Sequence, residues 1–427
     1  MVAIADCVGF YAAYHQSTEP HLKGAPVVAL SNNDGCIIAL SPEAKALGAV
    51  RCSAWYMVQE EYEAKGFRAF SSNYREYQAM NKRLMKIMAR YVPRLETYSI
   101  DECWMDLAGI NDIEAIVPKL IKDVKQLTGI QIRIGVAPTK TLAKVAINLA
   151  KTTPDNFCIL DNSDRIQSAL RCIAIEDLWN VGAQYAALLH RNGIRTAARL
   201  SVTPEYWVRK KMTVLGWRTL QELNGIPCLD LVEVMNPKKN IGVGRSFKKT
   251  TSDEQTLVDA ATYYSFRLSE KLREEKLVAT VLQIKLRTNK WRVDTAQHQP
   301  CMVFHLDKGI SNGLDITKHA QQAVRSIVAA NRKSRAQYKY MKFEINASGL
   351  VPEDENQILI GDQFDAGAKN RLSRAIDMIN LQLGKGKVCF ANNLSAWKQD
   401  TKDKYIMRQE YKTPNYFTDW NEAPILH

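Results

Sequence analysis

Short apolar runs separated by polar turns fill the first part of the chain and predict the strands of a small sheet. The run Val2-Ala3-Ile4-Ala5 predicts a buried strand that leads into Asp6. Residues 96–100 and 103–107 are rich in aromatic, β-branched and other apolar side chains. They predict two strands joined by a tight connection. Residues 131–136 predict a further strand.

Apolar positions spaced by three and four residues predict helices between these strands. Residues 73–91, 113–127 and 139–151 carry this spacing. The resulting order is strand, insert, helix, strand hairpin, helix, strand. This order predicts an α+β sheet with its helices on one face.

A small subdomain is inserted after the first strand. Residues 26–40 contain two apolar runs around an Asn-Asp-Gly turn signal, a pattern that is typical of a β-hairpin. Residues 41–48 begin with Ser as a cap and Pro at the first helical position, and they end with Gly, as a short helix does.

The second half of the chain predicts further domains. Residues 175–200 predict two helices around a glycine-containing hairpin, and a linker rich in Pro and Lys follows at 236–240. Strands are expected at 280–287 and 338–345, with helices at 255–275 and 316–331. An acidic, turn-rich stretch, a helix at 369–383 and a tail mixing aromatic and basic residues complete the chain.

Charge identifies the kind of partner. The 427 residues carry a formal net charge of +13, which favours a polyanion, with nucleic acid ahead of a membrane surface. Residues 241–350 hold 19 Lys and Arg against 10 Asp and Glu, so most of the excess lies there. No apolar run approaches the roughly 20 residues that span a bilayer, and the N-terminus lacks the pattern of a signal peptide. We therefore expect a cytoplasmic protein.

The nine dispersed cysteines lack Cys-x-x-Cys spacing and predict neither a zinc site nor a disulfide framework.

The adjacent carboxylates Asp101 and Glu102 lie at the predicted hairpin connection. Acidic turns are commonly just solvated, but carboxylates held by strands are also good ligands for Mg²⁺. Asp6 ends a strand that would lie beside this hairpin, and three converging carboxylates favour a two-metal phosphoryl-transfer site. On the helix that follows, Lys144 lies on a polar stripe, where it is either solvated or available to a triphosphate.

Two further features favour contact with nucleic acid. The glycine hairpin resembles a helix-hairpin-helix element, whose exposed N–H groups grip phosphates, although an ordinary pair of capped helices has the same pattern. Alternation along the strand at 280–287 places Lys285 and Arg287 on one side, with Lys339 near them. A sheet with one basic face would follow a duplex backbone, and its binding would weaken steeply with salt.

Six motifs, taken together and in order, resemble the Y-family translesion DNA polymerases, and most closely their UmuC type, the catalytic subunit of DNA polymerase V. The resemblance covers essentially the whole chain. The motifs are Asp6 with Phe10-Tyr11, residues 31–36, residues 43–48, Ser71-Ser72-Asn73-Tyr74, residues 98–102 and residues 139–144.

The resemblance implies an α+β multidomain fold of the right-hand polymerase type. Its parts would be a ferredoxin-like palm, small fingers, a helical thumb with the helix-hairpin-helix, an α+β little finger and a C-terminal tail. The expected boundaries are 1–24 and 75–165 for the palm, 25–74 for the fingers, 166–235 for the thumb, 241–350 for the little finger and 351–427 for a UmuC-type C-terminal interaction region.

The resemblance also implies the active site. Asp6, Asp101 and Glu102 match the catalytic carboxylates, and with the main chain of Cys7 they would bind two Mg²⁺ ions. Tyr11 matches the steric gate that rejects a ribose 2′-hydroxyl. The nucleotide triphosphate is expected at Phe10, Asn73, Tyr74 and Lys144.

Partners follow from the same likeness. Primer-template DNA and a deoxynucleoside triphosphate are the expected substrates, with a processed UmuD-like dimer and RecA as protein partners. The expected DNA contacts are Gly182, Gly193, Arg245, Lys248, Lys285, Arg287, Lys290 and Arg292. The best match to a sliding-clamp peptide is Gln357-Ile358-Leu359-Ile360, a degenerate one without the usual terminal aromatic.

The implied activity is error-prone DNA synthesis past damaged bases, without proofreading, in an SOS-type DNA-damage response. The alternatives are a non-catalytic DNA-binding regulatory paralogue that retains the fold, and a different phosphoryl-transfer enzyme on a similar palm. Three places depart from the family pattern: Cys7-Val8-Gly9, Tyr14-His15, and Asn180 where the hairpin usually has Gly. Asn tolerates a positive φ better than most residues, so the turn is expected to persist.

Overall fold

The structure is a computed structural model that describes residues 1–232, 237–292, 294–356, 363–383, 387–388, 390 and 408–423. The chain forms two compact units, one comprising Met1–Met235 with Arg408–His427 and the other Asn236–Met407. The end of the chain therefore returns to the first unit. No helix in the described ranges is both long enough and apolar enough to cross a membrane.

The first unit contains two sheets, built from strands in the first 160 residues. The strands are β1 (Val2–Cys7), β2 (Val27–Leu30), β3 (Ile37–Leu40), β4 (Arg68–Ser71), β5 (Leu95–Thr97), β6 (Glu102–Asp106), β7 (Ile132–Ala137) and β8 (Phe157–Ile159). Its helices are α1 (Phe10–Thr18), α2 (Pro42–Ala46), α3 (Trp55–Ala64), α4 (Tyr74–Met88), α5 (Ile113–Thr128), α6 (Lys140–Ala150), α7 (Ser163–Cys172), α8 (Ala183–Arg191), α9 (Ala197–Ser201) and α10 (Glu205–Leu223).

The central sheet has the strand order β5-β6-β1-β7-β8. Along β1, Ala3 and Ala5 pack with α1, α4 and α5 on one face, whereas Val2 and Ile4 pack with α6 on the other. The expectation of helices on one face is therefore wrong. Both faces of β1 are apolar, so the strand must be covered on both sides, as its unbroken apolar run requires.

Helix α6 lies unusually close to the central sheet. A Cβ added at Gly135 on β7 would lie 2.3 Å from the main-chain N of Ile147 and 2.5 Å from the carbonyl O of Ala143. Only glycine permits this approach, which brings the polar stripe of α6 near the end of β1.

The inserted sheet has the order β3-β2-β4, with β2 and β3 antiparallel as the Asn-Asp-Gly turn predicts. Ser41 caps α2 by accepting from the N–H of Ala44. Gly9, at the start of α1, has φ +58°, and a Cβ there would lie 2.3 Å from the carbonyl O of Leu40. The departure at Cys7-Val8-Gly9 thus places a glycine where the start of α1 approaches the main chain of β3 closely.

Helices α7 to α10 share a core with α6. Glu222, near the end of α10, is fully buried and joins two segments. Its carboxylate accepts from the N–H (2.8 Å) and hydroxyl (2.6 Å) of Thr141 at the start of α6, and from the N–H of Leu229 at 3.0 Å. The helical part is therefore fixed to the central sheet through a satisfied buried charge.

The second unit is a four-stranded antiparallel sheet with helices. Its elements are β9 (Asn240–Thr251), α11 (Glu254–Glu274), β10 (Leu277–Arg287), β11 (Cys301–Ile310), α12 (Gly313–Lys333), β12 (Tyr340–Pro352) and α13 (Gln363–Leu383). The strand order is β11-β10-β12-β9. Alternate residues such as Leu282, Ile284 and Leu286 share one core with α11 and α12. The strands β10 and β12 and the helices α11, α12 and α13 confirm the elements that the periodicity predicts, whereas β9 and β11 were not predicted.

Candidate active site

The three expected carboxylates are brought to one end of the central sheet by strand pairing. Strand β1 pairs antiparallel with β6, and Asp6 lies directly opposite Glu102. The N–H of Cys7 donates to the carbonyl O of Asp101 at 3.0 Å, which fixes the third residue beside them. Asp6 and Glu102 follow the alternation of Ile4 and Trp104, so both lie on the face covered by α6.

This cluster is electrostatically crowded. The pKa of the Asp6 carboxyl is raised from 3.8 to about 7, first by burial and then by the charges of Glu102 and Asp101. The cations Lys151 and Lys144 oppose this shift. A buried carboxyl raised by two neighbouring carboxylates is a site with excess negative charge, and a divalent cation would neutralise it.

The carboxylates make other bonds in this structure. Glu102 Oε1 lies 2.6 Å from Lys144 Nζ, and Ser99 Oγ donates to Asp101 Oδ1 at 2.5 Å. Within the described part of the chain, no three His, Cys, Asp or Glu side chains already form a metal-binding group. The donor types fit Mg²⁺, since they are hard oxygens. Ser99 contacts one oxygen of Asp101, and Lys144 contacts one oxygen of Glu102, so each carboxylate has a second oxygen outside these two contacts.

Cys7 supports only a main-chain role at this site. Its thiol is buried in the core of the central sheet, and burial followed by the charge of Asp6 raises its pKa well above the usual value. A neutral thiol is a poor ligand for Mg²⁺.

An aromatic cluster surrounds the expected steric gate. The ring of Tyr11 stacks on Tyr77 with centroids 4.4 Å apart, and Tyr74 meets both rings edge-on at 5.9 Å. Phe10 lies 5.6 Å from Tyr11 but is buried in the core. Tyr77 is therefore the surface that supports Tyr11. The helical periodicity showed Tyr77 only as a core residue.

The unusual pair Tyr14-His15 packs behind this cluster. His15 is fully buried, its Nε2 lies 2.9 Å from the hydroxyl of Tyr77, and its ring stacks on Phe70 at 4.2 Å. Burial lowers the pKa of His15 to about 3. A neutral imidazole thus holds the ring that supports Tyr11, and this departure from the family pattern keeps the gate packed.

Asn73 and Tyr74 lie at the start of α4, next to Tyr11. Asn73 is buried, and its side-chain amide donates to Asn415 Oδ1 at 2.9 Å. Asn415 lies 342 positions further along the chain. Tyr74 is partly exposed beside the gate. Their expected contact with a triphosphate stays a prediction.

Lys151 is a candidate that motif reasoning missed. It follows the last residue of α6, is exposed, and has a larger effect than Lys144 on the pKa of Asp6. Its amine donates to Asn148 Oδ1 at 2.7 Å, whereas Lys144 is paired with Glu102. The signal in the sequence was the seven-residue spacing from Lys144, which places both amines on one face of the helix.

The glycine hairpin forms as expected. Gly182 caps α8, and Gly193, at φ +75°, follows its end before α9. Asn180 has φ +68°, so the turn persists with Asn in the usual place of Gly. An added Cβ at Gly182 would meet nothing within 4 Å. Neither backbone conformation nor packing demands glycine at 182, and its contact with DNA stays a prediction.

The basic residues of the second unit lie on different faces. Lys285 and Arg287 pair with Glu344 and Lys342 on the face opposite the helices, whereas Arg245 pairs with Phe343 on the helix-covered face. Arg287 also forms an ion pair with Glu344 at 2.7 Å.

The remaining predicted contacts lie in the loop after β10 or beyond the described residues. Lys290 lies over the ring of Trp291, and Arg292 lies 3.3 Å from Asp294. The side chain of Lys248 and the clamp peptide at 357–360 lie outside the described part of the chain. All these contacts stay predictions.

Comparison with known proteins identifies the family of the chain. The model of the impB/mucB/samB family matches residues 5–148, and that of its C-terminal domain matches 238–360. A domain of unknown function matches 370–425. Protein ImpB of Salmonella typhimurium is 34% identical and Protein UmuC of the same species 32%, each over at least 99% of both chains.

A more distant relative and a solved structure connect the chain to DNA polymerases. DNA polymerase IV of Brucella melitensis is 26% identical over 70% of this chain and 67% of its own. A solved Y-family DNA polymerase chimera has a TM-score of 0.67 and 18% identity, covering 82% of this chain and 99% of its own. This likeness confirms the expected fold, and the site and the relatives together define a DNA-directed DNA polymerase of the Y-family. The chain belongs to the impB/mucB/samB family, the UmuC type of these enzymes.

Proposed function

We propose that this polymerase copies damaged DNA templates by two-metal nucleotidyl transfer, without proofreading, in an SOS-type DNA-damage response. The observation that carries the proposal is the placement of Asp6 opposite Glu102, with Asp101 bonded to the adjacent main chain. Two relatives that match over the whole chain, ImpB and UmuC, are 34% and 32% identical to it. The cofactor is Mg²⁺, as two ions.

The residues that would hold these ions are Asp6, Asp101, Glu102 and the main chain of Cys7. When bound, divalent ions supply Lewis-acid activation of the primer 3′-hydroxyl and stabilise the leaving pyrophosphate. The carboxylates orient the primer end and the nucleotide in line, and they keep the site negative enough to attract cations. Releasing Glu102 from Lys144 is part of assembling this site.

Two lysines on one face of α6 would neutralise the triphosphate. Lys151 is exposed, and Lys144 becomes available once Glu102 leaves it. Both amines already oppose the negative charge around Asp6. Fixed cations at this position stabilise charge that grows on the pyrophosphate as the bond breaks.

Selection against ribonucleotides rests on Tyr11. Its ring is held by the stack on Tyr77 and by the edge of Tyr74. Because Tyr77 is bonded to buried His15, Tyr11 cannot retreat to admit a 2′-hydroxyl. Phe10 packs beneath it, and Asn73 borders the same pocket.

DNA would be held through its backbone by two elements. The N–H groups near Gly182 and Gly193 would bind phosphates, as would Lys285 and Arg287 on the face of the second unit's sheet opposite the helices. Such contacts carry no base information, so they suit a polymerase that must accept damaged templates. The inserted sheet, as small fingers, would leave the new base pair accessible.

The partners are proposals by family likeness. We propose a processed UmuD-like dimer and RecA as activating proteins, weak docking of a sliding clamp at residues 357–360, and a cytoplasmic location. The similarity to UmuC over the whole chain supports these assignments.

Primer extension tests the function. The full chain, supplied with a UmuD-like dimer and a RecA filament, should extend a primer past an abasic site in Mg²⁺. Asp101→Ala should abolish extension, whereas Asp164→Ala, an exposed residue on α7, should leave it unchanged. Extension by neither wild type nor variants would leave a non-catalytic DNA-binding protein as the better explanation.

A further inference from the structure

The described end of the chain, residues 408–423, packs along both the inserted sheet and the central sheet. We call these residues the C-terminal segment. Its main chain joins β4, because Ser71 N donates to the carbonyl O of Tyr411 at 3.0 Å and Tyr411 N donates to Ser71 Oγ at 3.1 Å. The segment therefore continues a strand edge of the inserted subdomain.

The first half of the segment contacts the inserted subdomain. Glu410 N donates to Asp34 Oδ2 at 2.8 Å, and Gln59 Nε2 donates to the hydroxyl of Tyr411 at 3.0 Å. The Tyr411 ring meets Trp55 edge-on with centroids 6.1 Å apart. Tyr411 thus packs against the small core formed by β2, β3 and α3.

The second half of the segment contacts α1 and α4, the helices that pack on the central sheet. Glu76, in the first turn of α4, is fully buried and accepts from Phe417 N at 2.8 Å, from the Thr418 hydroxyl, and from the Tyr14 hydroxyl at 2.8 Å. Two of these three donors come from the C-terminal segment. The Phe417 ring also meets Tyr14 edge-on at 6.1 Å.

Asn415, between these two anchors, and Gln409, just before the first, contact the residues expected at the nucleotide. Asn415 Oδ1 accepts from Asn73 at 2.9 Å, and Gln409 Nε2 donates to the carbonyl O of Ser72 at 2.9 Å. Asn73 and Ser72 form the connection between β4 and α4. The segment therefore holds the residues immediately before Tyr74, which borders Tyr11.

Buried charge shows that the segment belongs to this position. Asp34 is 6% exposed and Glu76 is 0% exposed. Without the segment, Asp34 would lose the N–H of Glu410, and Glu76 would keep only the Tyr14 hydroxyl among the named donors. With the segment in place both carboxylates are buried and the segment supplies donors to them, so the inserted and central parts each present a matching acceptor to it.

We propose that the C-terminal segment is a brace that fixes the inserted subdomain to the central sheet and its helices. By this contact it would position Asn73 and Tyr74 at the expected nucleotide site. Asn415 and Thr418 are its positioning residues. The proposal gives a role to the end of the region matched by the domain of unknown function. The effect expected on KM for the nucleotide rests on the proposed nucleotidyl transfer. The effect expected on hydrogen exchange does not.

The test uses full-length variants and two measurements. Asn415→Ala removes the partner of Asn73, and Tyr411→Ala combined with Thr418→Val removes anchors on both sides. Asn421→Ala is the matched control, since Asn421 is exposed and its side chain donates to Asp419 within the same segment. Hydrogen exchange reports the amides of 68–73, and primer extension gives kcat and KM for the deoxynucleotide.

We expect the double variant to exchange the amides of 68–73 about tenfold faster, the effect of losing about one buried hydrogen bond. Asn415→Ala should raise KM for the nucleotide several-fold with a smaller change in kcat, and its overall fold should be unchanged. Asn421→Ala should alter neither quantity.

Two results would overturn the proposal. One is unchanged exchange of 68–73 in a double variant whose own C-terminal segment exchanges freely. The other is an unchanged KM in Asn415→Ala. If the wild-type protein synthesises no DNA, the proposed function fails, yet hydrogen exchange still decides whether the brace exists.

Discussion

Lys144 Nζ lies 2.6 Å from Glu102 Oε1, so the expected triphosphate cation is held by an expected metal ligand. The amine also lies over the rings of Tyr98 and Trp104, at 5.3 and 5.8 Å from their centroids. This pair keeps the metal-free site partly neutral. A cation held by Glu102 would compete with the amine for the charge of this carboxylate, and Lys144 would then be more available to phosphates.

Removing the Lys144 amine should therefore separate metal binding from nucleotide binding. In Lys144→Gln, we expect divalent ions to bind the protein alone several-fold more tightly, because a competing cation is lost. KM for the nucleotide should rise. Titration with Mn²⁺ and steady-state extension measure the two effects. Lys151→Gln, which breaks no carboxylate pair, should raise KM with a smaller gain in metal affinity, and equal gains in both variants would contradict the role of the Glu102 pair.

Tyr11→Ala should raise the ratio of ribonucleotide to deoxynucleotide incorporation by at least about tenfold, since a ring that blocks the 2′-hydroxyl is lost. Single-nucleotide extension with each sugar measures the ratio. Tyr56→Ala is the matched control because Tyr56 is 80% exposed. An unchanged ratio in Tyr11→Ala would remove this residue from the gate.

The pairing of β1 with the hairpin was predictable because its signals are local. The apolar run before Asp6 and the two runs around Asp101 each predict a strand, whereas their adjacency was an assumption that the pairing of β1 with β6 confirms. The cover on the second face of the sheet was missed. Helical periodicity shows that a helix is amphipathic but not which face of a sheet receives it.

The support of the gate could not be predicted from these motifs. Tyr77 and His15 are 62 residues apart, and nothing in either local sequence states that one bonds the other. The C-terminal segment presents the same difficulty over a longer separation, because Asn415 meets Asn73 across 342 residues. Such contacts depend on tertiary packing, which spacing along the chain does not encode.

Asp6 should make both stability and metal binding depend on pH. Its pKa of about 7 in the folded state exceeds the ordinary 3.8, so folding is favoured by protonation below about pH 4 and this contribution is lost as the pH rises through 7. In EDTA, Asp6→Asn should remove this loss, which amounts to about 2.5 kcal/mol between pH 5 and pH 8 because the unfolded carboxyl is already ionised at pH 5. Urea unfolding at pH 5 and pH 8 measures it.

Metal binding should release this proton. Titration of wild type with Mg²⁺ at pH 6.5, in two buffers of different ionisation enthalpy, should show proton release that disappears at pH 8.5 and in Asp6→Asn. Proton release that persists in the variant would assign the raised pKa to another group.

His15 should contribute to acid sensitivity. Its folded pKa of about 3 lies below the ordinary 6.5. Between these values the imidazole is protonated in the unfolded chain and neutral in the folded chain, so the free energy of unfolding falls as the pH drops below 6.5. His15→Gln keeps a polar partner for Tyr77 and should reduce the loss between pH 7 and pH 5 by about 2 kcal/mol. Denaturant midpoints at the two pH values measure the change, with exposed His21→Gln as the control. An identical pH response in His15→Gln and wild type would contradict the assignment.

Salt dependence should distinguish the two faces of the second unit. Lys285 and Arg287 lie on the open face, whereas Arg245 lies on the helix-covered face opposite Phe343. Each lost phosphate contact lowers the slope of log affinity against log salt by about 0.9. Anisotropy with a labelled duplex should show this decrease in Lys285→Ala and no change in Arg245→Ala.

A substitution of Glu344 tests the same face of the sheet in the salt titration. It accepts ion pairs from both Arg287, at 2.7 Å, and Lys342, at 2.6 Å, so these two cations are partly neutralised before DNA arrives. Glu344→Gln removes the partner of Arg287 and Lys342 and should steepen the slope of log affinity against log salt. If the duplex bound elsewhere, this slope would not change. A steeper slope in Glu344→Gln together with a shallower one in Lys285→Ala would place the phosphate backbone on the open face of this sheet. An equal decrease in Arg245→Ala would instead place it on the side of the helices.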